Sequence, residues 1–236
     1  MSRSFKTLVR AAAEPYRSAG RYAWLFAKGK LGGDPVFQFL LRRGLLPDRG
    51  RLLDLGCGQG LLIALLRAAR DRFANGEWPP DWPAPPRQLE MRGVELRADR
   101  AEAARLALGD WTPVTQGDIR EAELPPCSAI AILDVLLYLS IDEQRGVLER
   151  CARALEAGGL LLLREADSSR GLAFRMTAWP ERLACWSRGQ FRQKLHYRRA
   201  DEWIALLGSL GFSVRAEPMS AGTPFGNVLF IARRGG

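Results

Sequence analysis

The fold is decided by a stretch of nine residues, Leu52-Leu53-Asp54-Leu55-Gly56-Cys57-Gly58-Gln59-Gly60. A short apolar run leads into an acid, three glycines alternate with other residues, and the apolar periodicity of a helix follows over residues 61–69. This order predicts a strand, a tight turn and the start of a helix. Alternate glycines permit positive φ and the close approach of a ligand, as is typical of nucleotide-binding turns.

Two classes of nucleotide ligand use such a turn, and the glycine spacing separates them. The dinucleotide fingerprint is G-x-G-x-x-G, whereas here Gly60 comes one residue early and Asp54 precedes the first glycine. An aspartate beside the turn suits a cationic cofactor better than a diphosphate. The stretch resembles the first motif of class I S-adenosylmethionine-dependent methyltransferases, (D/E)-x-G-x-G-x-G, without a gap. A glycine-rich turn without a ligand is the alternative.

The composition is that of an ordinary globular protein with one α/β domain, alone or with a small cap. Of its 236 residues 47% are hydrophobic and 26% charged, and no stretch approaches the roughly 20 apolar residues of a membrane span. The N-terminus lacks an apolar segment with a cleavage site, so we predict a cytoplasmic protein. Four cysteines without a C-x-x-C pair and one histidine, His196, argue against a metal site.

The net charge of +9 is unevenly distributed along the chain. Residues 1–51 contain 11 Lys and Arg against 3 Asp and Glu, and residues 164–201 contain 9 against 4. The intervening residues 52–163 contain 12 against 17. The basic flanks favour an anionic partner, such as a phosphate, an acidic carrier domain, a lipid headgroup or a nucleic acid. Solvated arginines on helix surfaces are the alternative.

The N-terminal residues 1–49 predict a helical cap or lid on the domain that occupies residues 50–236. Residues 2–13 place apolar residues at helical spacing beside a basic face, which could also rest on an anionic membrane. The glycines of Lys28-Gly29-Lys30-Leu31-Gly32-Gly33 disfavour a helix, so we expect a hinge there. This lid would close over cofactor and acceptor, and the domain should fold without residues 1–33.

Apolar strand candidates alternate with helical segments after this cap. The alternation predicts a mostly parallel sheet with helices on both faces, and the resemblance implies a Rossmann-like sheet of seven strands with the last one antiparallel. Because the carboxyl ends of parallel strands meet at one edge, the acids at the ends of four strands should converge on one crevice. These acids are Asp54, Glu95, Asp118 and Asp134.

Two connecting segments carry local signals of their own. The proline-rich residues 75–86 form an inserted loop, whose two tryptophans either anchor it or bind a partner. Ser140 predicts the start of a helix, and Gly158 with Gly159 should end it before a strand over residues 160–164.

The resemblance covers about residues 50–234 and implies a set of cofactor-binding residues. In the family, the acid that ends strand 2 binds both ribose hydroxyls, here Glu95; a Gly-Asp-Ile element contacts the adenine, here around Asp118; and Asp134 would line the methionine end. Solvated acids at strand ends are the alternative. The implied set is Asp54, Gly56, Cys57, Gly58, Gly60, Glu95, Asp118, Ile119 and Asp134.

Methyl transfer is an in-line displacement, so positioning the nucleophile and excluding water can supply most of the catalysis. A hydroxyl or activated ring carbon as acceptor would need a base to take its proton. Glu165 and Asp167 follow strand 5 and should face the rim of the crevice, whereas His196 could equally be structural. The candidate catalytic residues are Tyr138, Glu165, Asp167 and His196.

The acceptor is constrained by one absent motif and one further resemblance. Residues 134–138 lack the N/D-P-P-Y/F pattern of methylases that act on exocyclic or amide nitrogen. Residues 14–31 are similar to methyltransferases of bacterial pigment pathways such as aryl-polyene clusters, which implies a polyketide-like or aromatic acceptor on an acidic carrier protein. We therefore expect a methyltransferase for a small-molecule or carrier-bound acceptor. An RNA methyltransferase using the basic flanks is the alternative, while the glycine spacing disfavours a nicotinamide oxidoreductase.

Overall fold

A computed structural model describes residues 2–170, 194–219 and 226–235. Within these ranges the strands are β1 (Arg49–Leu55), β2 (Gln88–Glu95), β3 (Val114–Gln116), β4 (Cys127–Leu133), β5 (Leu155–Ala166), β6 (Phe212–Pro218) and β7 (Asn227–Arg234). They form one seven-stranded sheet in the order β3-β2-β1-β4-β5-β7-β6. β1 and β2, and β2 and β3, are parallel, whereas β7 is antiparallel to β5 and β6. The predicted Rossmann-like sheet with an antiparallel last strand is confirmed.

The same ranges contain seven α-helices, and their ends follow the signals in the sequence. The helices are α1 (Arg3–Ala13), α2 (Arg21–Gly33), α3 (Pro35–Arg43), α4 (Leu61–Ala74), α5 (Ala98–Leu108), α6 (Ile141–Ala154) and α7 (Ala200–Ser209). Asp34 caps α3 by accepting a hydrogen bond from the Val36 amide at 3.1 Å, and Gly44 ends that helix with φ of 55°. Ser140 and Glu143 form a capping box on α6. No described helix is both long and apolar enough to cross a membrane.

The chain forms two compact units. The first comprises residues 1–123 and 127–129, and the second comprises residues 124–126 and 130–236. Strands β1, β2 and β3 belong to the first unit, and β5, β6 and β7 belong to the second. Leucines of β1 form part of the first core, and residues 160–163 of β5 are four fully buried leucines in the second.

The N-terminal segment belongs to the core of the first unit. Helix α1 packs against α4 and buries an apolar face. That face consists of Phe5, Leu8, Val9, Ala12 and Ala13. The apolar face of α1 is therefore not available to a membrane, and the expectation that residues 1–33 are separable from the fold is wrong.

The predicted hinge at the glycine run is also wrong, because α2 continues as a helix through Gly33. Each glycine costs a helix roughly 1 kcal/mol relative to alanine. Ala23, Ala27 and Leu31 repeat at a spacing of four residues and are buried on one face of α2. Tertiary packing of this face therefore outweighs the low helix propensity of the glycines.

The inserted loop over residues 75–86 and the end of helix α6 were also predicted from the sequence. In the inserted loop, Trp82 is 8% exposed and its ring lies edge-on to Trp78 with centroids 5.6 Å apart, so the tryptophans anchor the loop. Helix α6 ends where Leu155 turns to extended backbone with its side chain buried. Gly158 and Gly159 therefore lie within β5 and do not end the helix, contrary to the prediction.

Candidate active site

The glycine turn connects β1 to α4 in the first unit. Gly56, Gly58 and Gly60 have φ of 74°, 59° and 75°, a region that disfavours side chains. The amides of Gly56 and Cys57 donate to the Val94 carbonyl oxygen at 2.8 and 3.0 Å. These bonds fix the turn against the carboxyl end of β2.

Glycines in and beside the turn meet two different needs. A Cβ on Gly60 would lie 2.8 Å from Leu108 Cδ1 of α5, and one on Gly93 of β2 would lie 2.7 Å from Cys57 Sγ. These two glycines permit close packing. Nothing lies within 4 Å of the Cβ position at Gly58, so the backbone there presents an open face that a ligand can approach.

Glu95 lies at the carboxyl end of β2 with 5% of its surface exposed. Its Oε2 accepts from the Gly58 amide at 2.8 Å, and its Oε1 accepts from the Arg97 amide at 2.9 Å. A carboxylate oxygen has two lone pairs, so each oxygen keeps one acceptor position. The backbone amides thus orient a carboxylate that can accept two further hydrogen bonds, and ribose binding by Glu95 stays a prediction.

The interior of the turn disfavours negative charge, as the raised pKa values of Asp54 and Cys57 indicate. Asp54 is 3% exposed, and burial followed by the charge of Glu95 raises the pKa of its carboxyl to about 7. Burial, with the charges of Asp54 and Glu95, also raises the pKa of the Cys57 thiol. A cation at this position would stabilise the ionised acids.

Asp118 follows β3 and is held by its neighbour Arg120. The guanidinium donates to Oδ1 at 3.0 Å and to Oδ2 at 2.5 Å, and this hydrogen bonding lowers the pKa of the carboxyl. The Gly117 amide donates to the Glu95 carbonyl oxygen at 3.0 Å, and Ile119 is buried. Asp118 therefore lies beside the end of β2 as expected, and its adenine contact stays a prediction.

Tyr16 is a residue of this site that sequence reasoning missed. It lies on the 3-10 helix Glu14–Arg17, is completely buried, and its hydroxyl donates to the Gln59 carbonyl oxygen at 2.7 Å. Burial, then the charges of Cys57 and Asp54, raise the pKa of the phenol. The cluster of aromatic residues over residues 16–26 was a signal that could have drawn attention to it.

In the second unit, Asp134 follows β4 in an unusual backbone conformation. Its φ of 60° is the one positive value of a non-glycine residue within the described ranges. Such strain costs about 1–3 kcal/mol and clusters at functional sites. The carboxylate accepts from Arg164 Nε at 2.8 Å, and Arg164 is 1% exposed. Of the four acids expected in one crevice, Asp54, Glu95 and Asp118 thus belong to the first unit and Asp134 to the second.

Glu165, which was predicted to face the rim of the crevice, is buried within β5. Only 2% of its surface is exposed, and Oε1 accepts from the amides of Val135 and Leu136 at 3.1 and 2.7 Å. Burial, followed by the charge of Asp134, raises the pKa of its carboxyl to about 8. The glutamate thus fixes the start of the 3-10 helix Leu136–Tyr138.

Asp167 is also buried, with 6% of its surface exposed. Its Oδ1 accepts from the Ser169 amide at 3.0 Å, the Ser169 hydroxyl at 2.7 Å and the Ala200 amide at 3.1 Å. These bonds connect the end of β5 to the first residue of α7. Local hydrogen bonds thus hold Oδ1 of Asp167, and its place at the rim of the crevice stays a prediction.

His196 and Tyr138 are brought to adjacent backbone segments. The His196 amide donates to the Leu137 carbonyl oxygen at 2.8 Å, next to Tyr138, and both side chains are partly exposed. Their catalytic roles stay predictions. Most of the aromatic and arginine-rich residues 179–199 fall outside the described part of the chain.

The side chain of Gln144 connects the segments around Leu136 and His196, a role that the sequence analysis did not predict. It is completely buried on α6, and its Nε2 donates to the carbonyl oxygens of Leu136 and His196, both at 3.0 Å. Its Oε1 accepts from Arg198 Nε at 2.8 Å. A lone glutamine on an amphipathic helix gives no signal of this role in the sequence.

Comparisons with known proteins agree on the type of domain. A family model described as a methyltransferase domain matches residues 33–217. The carboxy-S-adenosyl-L-methionine synthase of Chromohalobacter salexigens is 31% identical over 138 residues, 54% of this chain and 46% of the synthase. The aclacinomycin 10-hydroxylase RdmB of Streptomyces purpurascens is 31% identical over 176 residues, 73% of this chain and 42% of the hydroxylase. The chain thus spans less than half the length of these curated relatives.

Solved structures share the fold at low identity. The magnesium protoporphyrin IX methyltransferase ChlM of Synechocystis PCC 6803, with SAH bound, matches with a TM-score of 0.59 and 19% identity, over 94% of this chain and 93% of that chain. An O-methyltransferase family protein of Burkholderia thailandensis matches with a TM-score of 0.65 and 17% identity, over 93% of this chain and 62% of that chain. These likenesses establish the common architecture.

Proposed function

The chain belongs to the class I S-adenosylmethionine-dependent methyltransferases, and we propose that it transfers a methyl group from this cofactor to a small-molecule acceptor. The observation that carries the proposal is the pairing of the Gly58 amide with the buried Glu95 carboxylate. This pairing leaves an open backbone face and two acceptor positions at the carboxyl end of β2. Nucleotides bind at this edge of open α/β sheets.

The residues of the first unit suit the cofactor. The free acceptor positions of Glu95 match a vicinal diol, and the buried pair of Asp54 and Glu95 favours a cation. When bound, the cofactor supplies an electrophilic methyl group on a positively charged sulfur. The chain's own contribution is to bind it, orient it and exclude water.

In the second unit we propose different roles for the four candidate catalytic residues. Glu165 and Asp167 accept hydrogen bonds from backbone amides, so we assign them to positioning of the segments around Leu136 and α7. Tyr138 and His196 are partly exposed, and a neutral imidazole of His196 or a phenolate of Tyr138 could accept a proton from a hydroxyl or ring carbon. Proton transfer is needed only for acceptors of those kinds.

The acceptor we propose is polyketide-like or aromatic, either free or presented by an acidic carrier protein. The excess of Lys and Arg in residues 1–51 supports an anionic partner. On α1, Arg3, Lys6 and Arg10 are exposed. We also propose that residues 1–49 act as a cap on the methyltransferase domain 50–236, and that this cap is fixed in place, because α2 is unbroken through the glycine run.

Product analysis with a methyl-labelled cofactor tests the proposed reaction. We expect a labelled methyl group on an aromatic or polyketide-like acceptor, with stoichiometric formation of the demethylated cofactor, measured by mass spectrometry. The same assay distinguishes two other outcomes. Labelled RNA would support a nucleic-acid methyltransferase. A modified cofactor or an unmethylated product would contradict methyl transfer; relatives named as a synthase and a hydroxylase make this outcome worth measuring.

Charge reversal on α1 tests the anionic partner. If an acidic carrier presents the acceptor, kcat/KM should fall with rising salt while kcat changes little, since steering is screened over about 8 Å at physiological ionic strength. The double variant Arg3→Glu/Arg10→Glu should reproduce the fall at low salt. Arg105→Glu/Arg145→Glu changes the net charge equally within residues 52–163 and serves as the control. A kcat/KM independent of salt would contradict the carrier and favour a free neutral acceptor.

A further inference from the structure

The N-terminal segment reaches the glycine turn through the side chain of Tyr16. This residue lies on the 3-10 helix between α1 and α2, and its hydroxyl donates to the Gln59 carbonyl oxygen at 2.7 Å. The two residues are 43 positions apart in the sequence and belong to the same unit. The contact therefore joins the cap to the peptide that precedes Gly60.

Besides the two bonds to the Val94 carbonyl oxygen, three hydrogen bonds hold residues 58–60 of the turn. The Gly58 amide donates to Glu95 at 2.8 Å, and the Gly60 amide donates to the Cys57 carbonyl oxygen at 2.9 Å. The third is the bond from Tyr16 to Gln59. Because a peptide unit is planar, holding the Gln59 carbonyl also fixes the direction of the Gly60 amide. The glycines on either side are conformationally permissive, so each such bond matters more than in an ordinary turn.

The Tyr16 hydroxyl is held firmly as a donor. Its ring is completely buried, so a phenylalanine would fill the same space without needing a polar partner. At the other end of the same short segment, the Ser18 hydroxyl lies within hydrogen-bonding distance of two carbonyl oxygens, that of Pro15 at 2.7 Å and that of Leu106 on α5 at 3.0 Å. The phenol is protonated at neutral pH even at its ordinary pKa of about 10, and burial raises this pKa further. Packing of the ring does not require the hydroxyl group. Its hydrogen bond to a backbone carbonyl therefore indicates a specific role.

We propose that Tyr16 is a positioning residue for the cofactor: its hydroxyl holds the Gln59–Gly60 peptide, and with it the open backbone at Gly58, in the conformation that receives S-adenosylmethionine. The segment before α2 thereby takes part in cofactor binding. This inference concerns the cofactor alone and is independent of which acceptor the enzyme uses.

The variant Tyr16→Phe tests the proposal. Removing the hydroxyl leaves the partly buried Gln59 carbonyl without this donor, which destabilises the conformation of the turn that binds the cofactor. We expect the Kd for S-adenosylhomocysteine, measured by titration calorimetry, to rise about tenfold. The KM for S-adenosylmethionine should rise to match, with kcat unchanged. Tyr22→Phe is the control, because Tyr22 lies on the same segment and is 79% exposed.

Hydrogen exchange of the ligand-free protein separates positioning from general stability. In Tyr16→Phe, exchange should accelerate at the amides of Gly58 and Gly60 while β5 keeps its protection. A uniform loss of protection, or a Kd within twofold of the wild-type value, would overturn the proposal. Failure of the wild-type protein itself to bind S-adenosylhomocysteine would instead contradict the assignment of the cofactor.

Discussion

Glu95→Gln is expected to weaken S-adenosylhomocysteine binding by about a hundredfold, which corresponds to about 2.7 kcal/mol. Both carboxylate oxygens accept from backbone amides, of Gly58 at 2.8 Å and of Arg97 at 2.9 Å. A glutamine side chain has one acceptor oxygen, so its NH2 group would face one of these N–H donors. The turn would lose a charge-assisted bond, and the ribose would lose one of its two acceptors.

Glu90→Gln is a matched control for this experiment, since Glu90 lies on the same strand. Its carboxylate is exposed and pairs with Arg51 and Arg92 at the surface. Calorimetric titration should give the wild-type Kd for Glu90→Gln. A Kd within threefold of wild type for folded Glu95→Gln would contradict the assigned role, and tight binding of NAD by the wild-type protein would contradict the cofactor.

The parts of the site that the sequence predicts correctly depend on local geometry. Alternate glycines after a strand permit the positive φ of a tight turn, and an acid at the end of a parallel strand lies at the ligand-binding edge. Glu95 could therefore be placed from its position after a strand, in spite of the inserted loop over residues 75–86. The caps at Asp34 and Ser140 are likewise local signals, and both are confirmed.

The parts that could not be predicted depend on partners distant in sequence. Glu165 lies near the end of β5 and Asp167 follows it, where a base could face the crevice, but both carboxylates are buried and accept hydrogen bonds from amides of the segment after β4 and of α7. The hydroxyl of Tyr16 finds its acceptor 43 residues away. In α2, the burial of Ala23, Ala27 and Leu31 overrides the glycines. In each case tertiary contacts outweigh a weaker local preference.

The ligand-free protein is expected to lose stability as the pH rises from about 4 to about 8, and Asp54→Asn should remove much of this loss. The pKa of Asp54 is raised from 3.8 to about 7, and that of Glu165 from 4.5 to about 8. Below pH 4 both carboxyls are protonated in the folded and the unfolded chain, so no penalty arises. Between pH 4 and the raised pKa values, the two carboxyls ionise in the unfolded chain but stay protonated in the folded chain. Rising pH therefore favours unfolding over this range. For Asp54 the shift corresponds to a few kcal/mol, at about 1.4 kcal/mol per pKa unit.

Thermal unfolding across this pH range measures the effect, with Asp110→Asn as the control because Asp110 is an exposed acid of the same unit. The two forms of the cofactor provide a sharper comparison, since only S-adenosylmethionine carries a positive sulfur. A cation near Asp54 and Glu95 favours ionised carboxylates. The extra rise in Tm with S-adenosylmethionine over S-adenosylhomocysteine should therefore be larger at pH 8 than at pH 5, and should shrink in Asp54→Asn. Equal stabilisation by both cofactors at both pH values would show that Asp54 does not interact with the sulfonium charge.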